Sequence, residues 1–135
     1  MRTPTYDDLA THYTRLHRLE HLASIAWWDQ AANIPPKGNE ARAAALSELA
    51  ALMHRMRTDS TLAERLARAE QESLSEHQRA NLREIRRDWH NANALPTELV
   101  QRRQLAPSRC EHAWRSLRPA NDWRGFVEVW KPVLA

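Results

Sequence analysis

Glycine is scarce in this 135-residue chain: Gly38 and Gly125 are the only two, too few for the turn chemistry that a sheet built of hairpins demands. Three isoleucines and four valines leave little of the β-branched material that strands favour. No run approaches the roughly 18 consecutive apolar residues of a membrane span, and the segment from Met1 to Ala10 carries Asp7 and Asp8 where a secretory signal would be apolar. Cys110 is the single cysteine. It excludes an internal disulfide and fits a reducing compartment, so a cytoplasmic protein is expected. Lysine is nearly absent as well, with only Lys37 and Lys131, and arginine supplies the rest of a net charge of +3. Acidic residues are interspersed throughout, so this excess is too small and too mixed to call for a nucleic-acid partner, and no membrane partner is expected either.

What is abundant is alanine and leucine, the residues of high helix propensity. The length suits one domain, able to bury roughly two-thirds of the surface of its unfolded chain. The expectation is an all-α fold, a single compact array over residues 1–135 of about five to seven helices.

A first helix is predicted from Thr5, a capping hydroxyl ahead of Asp7 and Asp8, with Leu9, Tyr13, Leu16, Leu19, Ala23 and Trp27 as its apolar stripe down to about Trp28. The run Asn-Ile-Pro-Pro-Lys-Gly, 33–38, ends it, because consecutive prolines remove donors and push their predecessors out of the helical region. Asn39 caps a second helix to about Met56 with Ala45, Leu49, Leu52 and Met56 on its inner face. A short helix with Leu62, Leu66 and Ala69 follows. Ser75 and Gln78 then form a capping-box signature for a fourth, carrying Leu82, Ile85 and Trp89 to near Asn93. Pro96 suits the first turn of a fifth helix. Pro107 is expected to kink or split that element, with Ser108 capping a fresh segment that holds Cys110, Trp114 and Leu117. Asp122 caps a last helix whose apolar side carries Trp123, Phe126, Val127 and Trp130.

The run from Ala23 to Arg42, with Trp28-Asp29-Gln30, Pro35-Pro36 and Glu40-Ala41-Arg42 at its core, resembles the signature near the N-terminus of the carboxypeptidase Taq family, metallopeptidase family 32. Ala80-Asn-Leu-Arg-Glu-Ile-Arg86, Leu95-Pro-Thr-Glu-Leu99, Glu111-His-Ala-Trp114 and Ala120-Asn-Asp122 follow in the family's order and approximate spacing. The resemblance implies an all-helical fold in which this region is part of the cap and wall beside a long substrate groove. It assigns Trp28, Asp29, Gln30, Pro35, Pro36, Glu40 and Arg42 a structural, signature role. The family's chemistry, removal of C-terminal residues from peptides by a zinc or cobalt ion on a His-Glu-x-x-His helix and a later glutamate, lies downstream of the matched region. None of the seven histidines is followed by Glu-x-x-His, so two metal ligands one helical turn apart with an adjacent general base are missing. No catalytic residue, metal ligand or cofactor is therefore expected in this chain, and peptide substrate is expected only for the full-length family. Pro107 departs from the family, whose corresponding segment looks like continuous helix.

Several local patterns have a second reading. His17-Arg-Leu-Glu20-His21 matches the inverted zinc motif, which would put His17 and His21 on one face with Glu20 as base and would need a third ligand among Glu70, Glu72 and Glu76. The plainer reading is two solvent-facing histidines, since the apolar stripe already uses Leu16, Leu19 and Ala23. Asp29, beside Trp27 and Trp28, could orient a groove-lining group, but anchoring of the turn by the tryptophan pair and this carboxylate, through packing and hydrogen bonding, is favoured. Arg79, Arg83, Arg86 and Arg87 form a basic strip; with Glu76, Glu84 and Asp88 among them it reads as a solvated face laced with ion pairs. Cys110, Glu111 and His112 are sequence neighbours pointing in different directions, not a dyad.

The leading expectation is a cap-like region inactive alone, whose partners are the missing C-terminal catalytic part or a second copy. Trp114, Trp123, Phe126 and Trp130 are expected to be exposed and to drive dimers or larger assemblies. The alternatives are a free-standing helical protein-interaction module and a small zinc hydrolase using His17, Glu20 and His21.

Overall fold

The computed structural model describes residues 3–35 and 37–134. Among them the fold is all-α, as expected: α1 (Pro4–Ala32), α2 (Asn39–Arg57), α3 (Leu62–Ala69), α4 (Glu76–Asn93), α5 (Thr97–Leu117) and α6 (Trp123–Leu134). None of these helices is long and apolar enough to cross a membrane. The chain divides into two compact units, one of Met1–His21 with Leu52–Pro96 and one of Leu22–Ala51 with Thr97–Ala135.

In the first unit α1 begins one residue earlier than Thr5. Pro4 takes the first helical position, where its missing N–H costs nothing, and Asp7 donates its amide to the Thr3 carbonyl at 2.9 Å. Thr5 is inside the helix, and its amide and that of Tyr6 donate to the two carboxylate oxygens of Glu72 at 2.8 and 3.0 Å. A carboxylate from the α3–α4 connection thus satisfies helix-terminal donors that no local side chain reaches. Desolvation works against the charged form, but the Tyr6 and Thr5 hydrogen bonds outweigh it and hold the Glu72 carboxyl below its usual range.

The core of this unit is Tyr6, Leu9, Leu62, Leu66, Ala69, Leu74, Leu82 and Ile85, with Ala10, Tyr13 and Trp89 packed against it. Leu62, Leu66 and Ala69 recur at four- and three-residue spacing, so the eight-residue α3, too short to be stable alone in water, is held by the side it buries. Each leucine so buried contributes about 1.5–3 kcal/mol. The capping box at α4 forms as predicted: the Gln78 amide donates to Ser75 Oγ at 3.2 Å and the Ser75 amide to Gln78 Oε1 at 2.9 Å. Polar ties complete the unit. Asn81 donates to the Tyr6 hydroxyl at 2.9 Å, Tyr13 donates to the Ile85 carbonyl at 3.3 Å, and Arg57 pairs with both Glu20 and Asp88.

In the second unit α1 runs to Ala32, four residues beyond Trp28, and Asn33 still donates its amide to the Asp29 carbonyl at 2.9 Å. The buried face of α2 is not Ala45, Leu49, Leu52 and Met56. Asn39, Ala43, Leu46, Ser47 and Ala51 are buried, while Ala45 and Leu52 are exposed. The segment is alanine-rich around its whole circumference, so its pattern defines no unique stripe. The small side chains allow close approach, and tertiary packing chose the orientation.

The expectation of a split at Pro107 is corrected: α5 is one helix through that residue. Pro96 falls just before its first turn. Proline removes a single interior hydrogen bond and crowds the carbonyl four residues back, a local cost offset by burial of the following Ser108 and Cys110. Ser108 is consequently an interior residue and not a cap. After α5 the chain reverses through Asn121, the one non-glycine residue of positive φ (53°) among those described, a conformation that asparagine tolerates better than most. Asp122 then accepts the Gly125 amide at 2.9 Å, the cap that the sequence predicts. A side chain on Gly125 would collide with that carboxylate.

Candidate functional site

The signature residues meet at the end of α1 in the second unit. Asp29 Oδ2 pairs with Arg42 Nη1 at 2.5 Å, and the same guanidinium donates to the Ala26 carbonyl at 3.2 Å, so the start of α2 is clamped to the last turns of α1. Gln30 is 1% exposed and donates through Nε2 to Ser108 Oγ at 2.7 Å; Ser108 is itself fully buried. Arg115 Nη2 donates to the Gln30 and Ala31 carbonyls and to Glu111 Oε1, each at 3.0 Å. It satisfies C-terminal carbonyls of α1 that the loop leaves without amides. Gly38 donates its amide to the Pro35 carbonyl at 2.8 Å, closing the loop, and Glu40 lies exposed in the first turn of α2. Pro36 lies outside the described residues.

This turn is therefore anchored by polar groups and not by its tryptophans. Trp28 is 65% exposed and Trp27 41%, against the expectation that both pack. The sequence pattern misses Ser108 and Arg115 because their partners lie 78 and 85 residues away, and nothing local marks either one.

Beside the turn α2 and α5 border an open cleft of about 910 Å³. Asn39, Ala43 and Ser47, buried and spaced by four, form its floor on α2; Glu40, Ala44 and Glu48, shifted by one residue, form an exposed rim. The α5 side presents Gln101, Leu105, Arg109 and His112, and Lys37 stands at one end. His112 Nδ1 is shielded from solvent and has no hydrogen-bond partner among the described residues.

A separate apolar surface lies on α6 and the end of α5. Trp123, Phe126 and Trp130 form a ladder along α6 with ring centroids 5.7 and 6.4 Å apart. Trp114, Trp123 and Trp130 are 48%, 67% and 40% exposed, while Phe126 is half-buried.

The inverted zinc motif sits in the first unit. His17 and His21 are both exposed, and His17 Nδ1 lies 2.7 Å from Glu20 Oε2 while Glu20 also pairs with Arg57. Of the possible third ligands, Glu72 caps α1, Glu70 pairs with Arg86 at 2.6 Å, and Glu76 opens α4. No three His, Cys, Asp or Glu side chains among the described residues come together in a metal-holding group, so the donors present do not fit a metal ion. On the basic strip, Arg87 pairs with Glu84 and Arg86 with Glu70, whereas Asp88 serves Arg57 and Arg79 donates to the Leu74 carbonyl. Of the pairings that the sequence suggests within the strip only Arg87–Glu84 forms, and Arg83 and Glu76 make no ion pair among the described residues.

Comparison with known proteins places these features. The family model for carboxypeptidase Taq (M32) metallopeptidases matches residues 8–135. The chain is 36% identical to thermostable carboxypeptidase 1 of Thermus thermophilus over 96% of its own length and 26% of that protein's. It is 27% identical to thermostable carboxypeptidase 1 of Pyrococcus furiosus over 93% of its length and 25% of that protein's. The solved structure of Trypanosoma cruzi metallocarboxypeptidase 1 superimposes with a TM-score of 0.73 at 36% identity, covering 96% of this chain and 26% of that one. The chain thus spans about a quarter of the length of the relatives it matches.

Proposed function

The chain belongs to the carboxypeptidase Taq (M32) metallopeptidase family, and from that membership we propose that it is the N-terminal helical cap and groove-wall region of a metal-dependent carboxypeptidase that removes C-terminal residues from peptides. The observation that carries this reading is the match over residues 8–135 in a chain where no histidine begins a His-Glu-x-x-His sequence. In this reading the zinc or cobalt ion, its ligands and the general base belong to a catalytic part beyond these residues. Trp28, Asp29, Gln30, Pro35, Pro36, Glu40 and Arg42 then act structurally. Asp29, Gln30 and Arg42 fix the α1–α2 turn, and the turn fixes the wall of the groove. The exposed Trp114, Trp123 and Trp130 are the surface that the catalytic part or a second copy covers.

A chimera tests this directly: the matching residues of the Thermus thermophilus relative are replaced by this chain, and release of the C-terminal residue from a peptide is followed. The expected result is a folded chimera with carboxypeptidase activity, while the chain alone hydrolyses nothing with zinc or cobalt added. Hydrolysis by the chain alone, or one metal per chain lost on His17→Ala, would overturn the reading in favour of the small hydrolase, and a folded but inactive chimera would also count against it. Alone, the chain is expected to be dimeric or larger by light scattering; a monomer at high concentration would remove the case for an adhesive α5–α6 surface.

A further inference from the structure

We propose that the outward face of α1 in the second unit, Leu22, Ile25 and Trp28, docks onto the catalytic part of the enzyme and ties the signature turn to it. The inference rests on the carboxypeptidase reading above and adds to it an interface apart from the α5–α6 surface. Between Leu22 and Ala32 the helix is turned inside out. With about 3.6 residues per turn, Leu22, Ile25, Trp28 and Ala32 share about a third of its circumference. All four are exposed, the first three by 57%, 51% and 65%. The opposite face carries Gln30, which is 1% exposed, and the half-buried Ala23 and Ala26. Glutamine and alanine inward with leucine, isoleucine and tryptophan outward reverse the order that burial of apolar area favours. Single exposed apolar residues are ordinary, but an apolar stripe at helical spacing opposite a buried polar one is not. The reversal is local, because in the first unit the same helix buries Leu9 and Leu16.

Area decides between a second copy and the remainder of the enzyme. A whole tryptophan side chain offers at most about 250 Å², so three side chains exposed by half to two-thirds present less than about 450 Å², against about 800 Å² per partner in a standard interface between separate proteins. A second copy seated on this stripe would not offset the freedom lost on association. A body joined to the same chain has already lost that freedom, so a small apolar patch is enough to seat it. The relatives contain such a body, since this chain spans about a quarter of their length. The stripe holds no ionisable group, so the surface that covers it is apolar. Trp28 adjoins Asp29, whose pair with Arg42 clamps the start of α2 to α1. Seating the indole therefore fixes the turn from outside, as the Gln30–Ser108 hydrogen bond fixes it from within.

The test is hydroxyl-radical footprinting read by mass spectrometry, on the 135-residue chain and on its chimera with the Thermus thermophilus relative. Labelling of Leu22, Ile25 and Trp28 is expected to be high in the chain alone at every concentration and several-fold lower in the chimera. Ile25→Asp, at an exposed position, is expected to leave the helix content and urea midpoint of the chain unchanged and to raise labelling of Leu22 and Trp28 in the chimera. Undiminished labelling in a folded chimera, or a footprint there that Ile25→Asp leaves unaltered, would overturn the proposal. Protection in the chain alone that grows with concentration would also overturn it, by giving the stripe to a second copy. Unfolding of the chain by Ile25→Asp would do the same, by making the stripe part of its own core. An active chimera with a labelled stripe sinks this inference alone, whereas a protected stripe in a folded but inactive chimera sinks the carboxypeptidase reading and leaves the docking standing.

Discussion

The two units of this chain solve the same problem with different materials. The first buries large side chains: Leu9, Leu62 and Leu66 are at most 1% exposed, and eight buried residues form one cluster. The second buries mostly small and polar ones, Ala43, Ser47, Ala51, Gln30 and Ser108, with Leu46 the large apolar residue among them, while its tryptophans face outward. A unit held by leucines draws on burial of apolar area, which needs no particular geometry. One held by Gln30–Ser108, Asp29–Arg42 and Arg115 depends on individual hydrogen bonds, and loss of the Gln30–Ser108 bond leaves a buried group unsatisfied. The difference teaches where surface remains for other work. The first unit has spent most of its apolar material internally, and the second presents both the aromatic ladder and the α2–α5 cleft.

The largest test of this contrast is truncation of matched apolar residues. Leu66→Ala, in the first unit's core, is expected to cost about 2–5 kcal/mol through lost burial and the cavity left behind, read as a lowered urea midpoint. Trp123→Ala removes a larger side chain from the second unit, but that residue is 67% exposed, so its effect on stability is expected to stay within about 0.5 kcal/mol while self-association weakens. Comparable losses at the two sites would break the comparison.

Next in size is the polar pin of the second unit. Ser108→Ala leaves the Gln30 amide nitrogen without its acceptor, in a side chain whose Oε1 already lacks a partner. The expected cost is about 1–3 kcal/mol. Adding Gln30→Met removes the stranded amide and is expected to recover much of the loss; a double variant as unstable as the sum of the two singles would show that the hydrogen bond is not what matters there.

Ser75→Ala comes third. It deletes half of a reciprocal cap and is expected to cost about 1 kcal/mol, with the far-ultraviolet spectrum unchanged, because leucine packing and not the cap holds the first unit. A loss of helix content would mean that α4 depends on its cap more than on its core.

How legible each unit was follows from the same contrast. In the first, Leu62, Leu66, Leu82 and Ile85 announce their faces by spacing and Ser75 with Gln78 announces a helix start, because apolar period and local capping are written in neighbouring residues. Its surprise, Glu72 on the amides of Thr5 and Tyr6, joins residues 66 and 67 positions apart. In the second, the alanine-rich α2 carries no unique stripe, and Pro107 obeys its packing and not its local tendency. Gln30 finds Ser108 across 78 residues. The signature around Trp28 to Arg42 was readable as family likeness, but the division of labour within it, polar residues inward and tryptophan outward, was not, since tryptophan is usually core material.

The smallest expected effect appears only in alkali and sharpens the view that even the first unit's polar groups are subordinate to its core. Tyr13 packs beside that core and donates its hydroxyl to the Ile85 carbonyl. Burial, reinforced by the Asp88 carboxylate and partly opposed by Arg57, pushes its pKa up to about 12 from an ordinary 10.0. Between those values the unfolded chain has released a proton that the folded chain retains, so unfolding is favoured progressively as pH climbs from about 10 to about 12, while below pH 10 the contribution is complete. Tyr13→Phe is expected to flatten that part of the stability profile in urea melts between pH 9 and 11, after a small constant loss at neutral pH for the missing hydrogen bond. An identical alkaline decline in the phenylalanine variant would place the titrating group elsewhere.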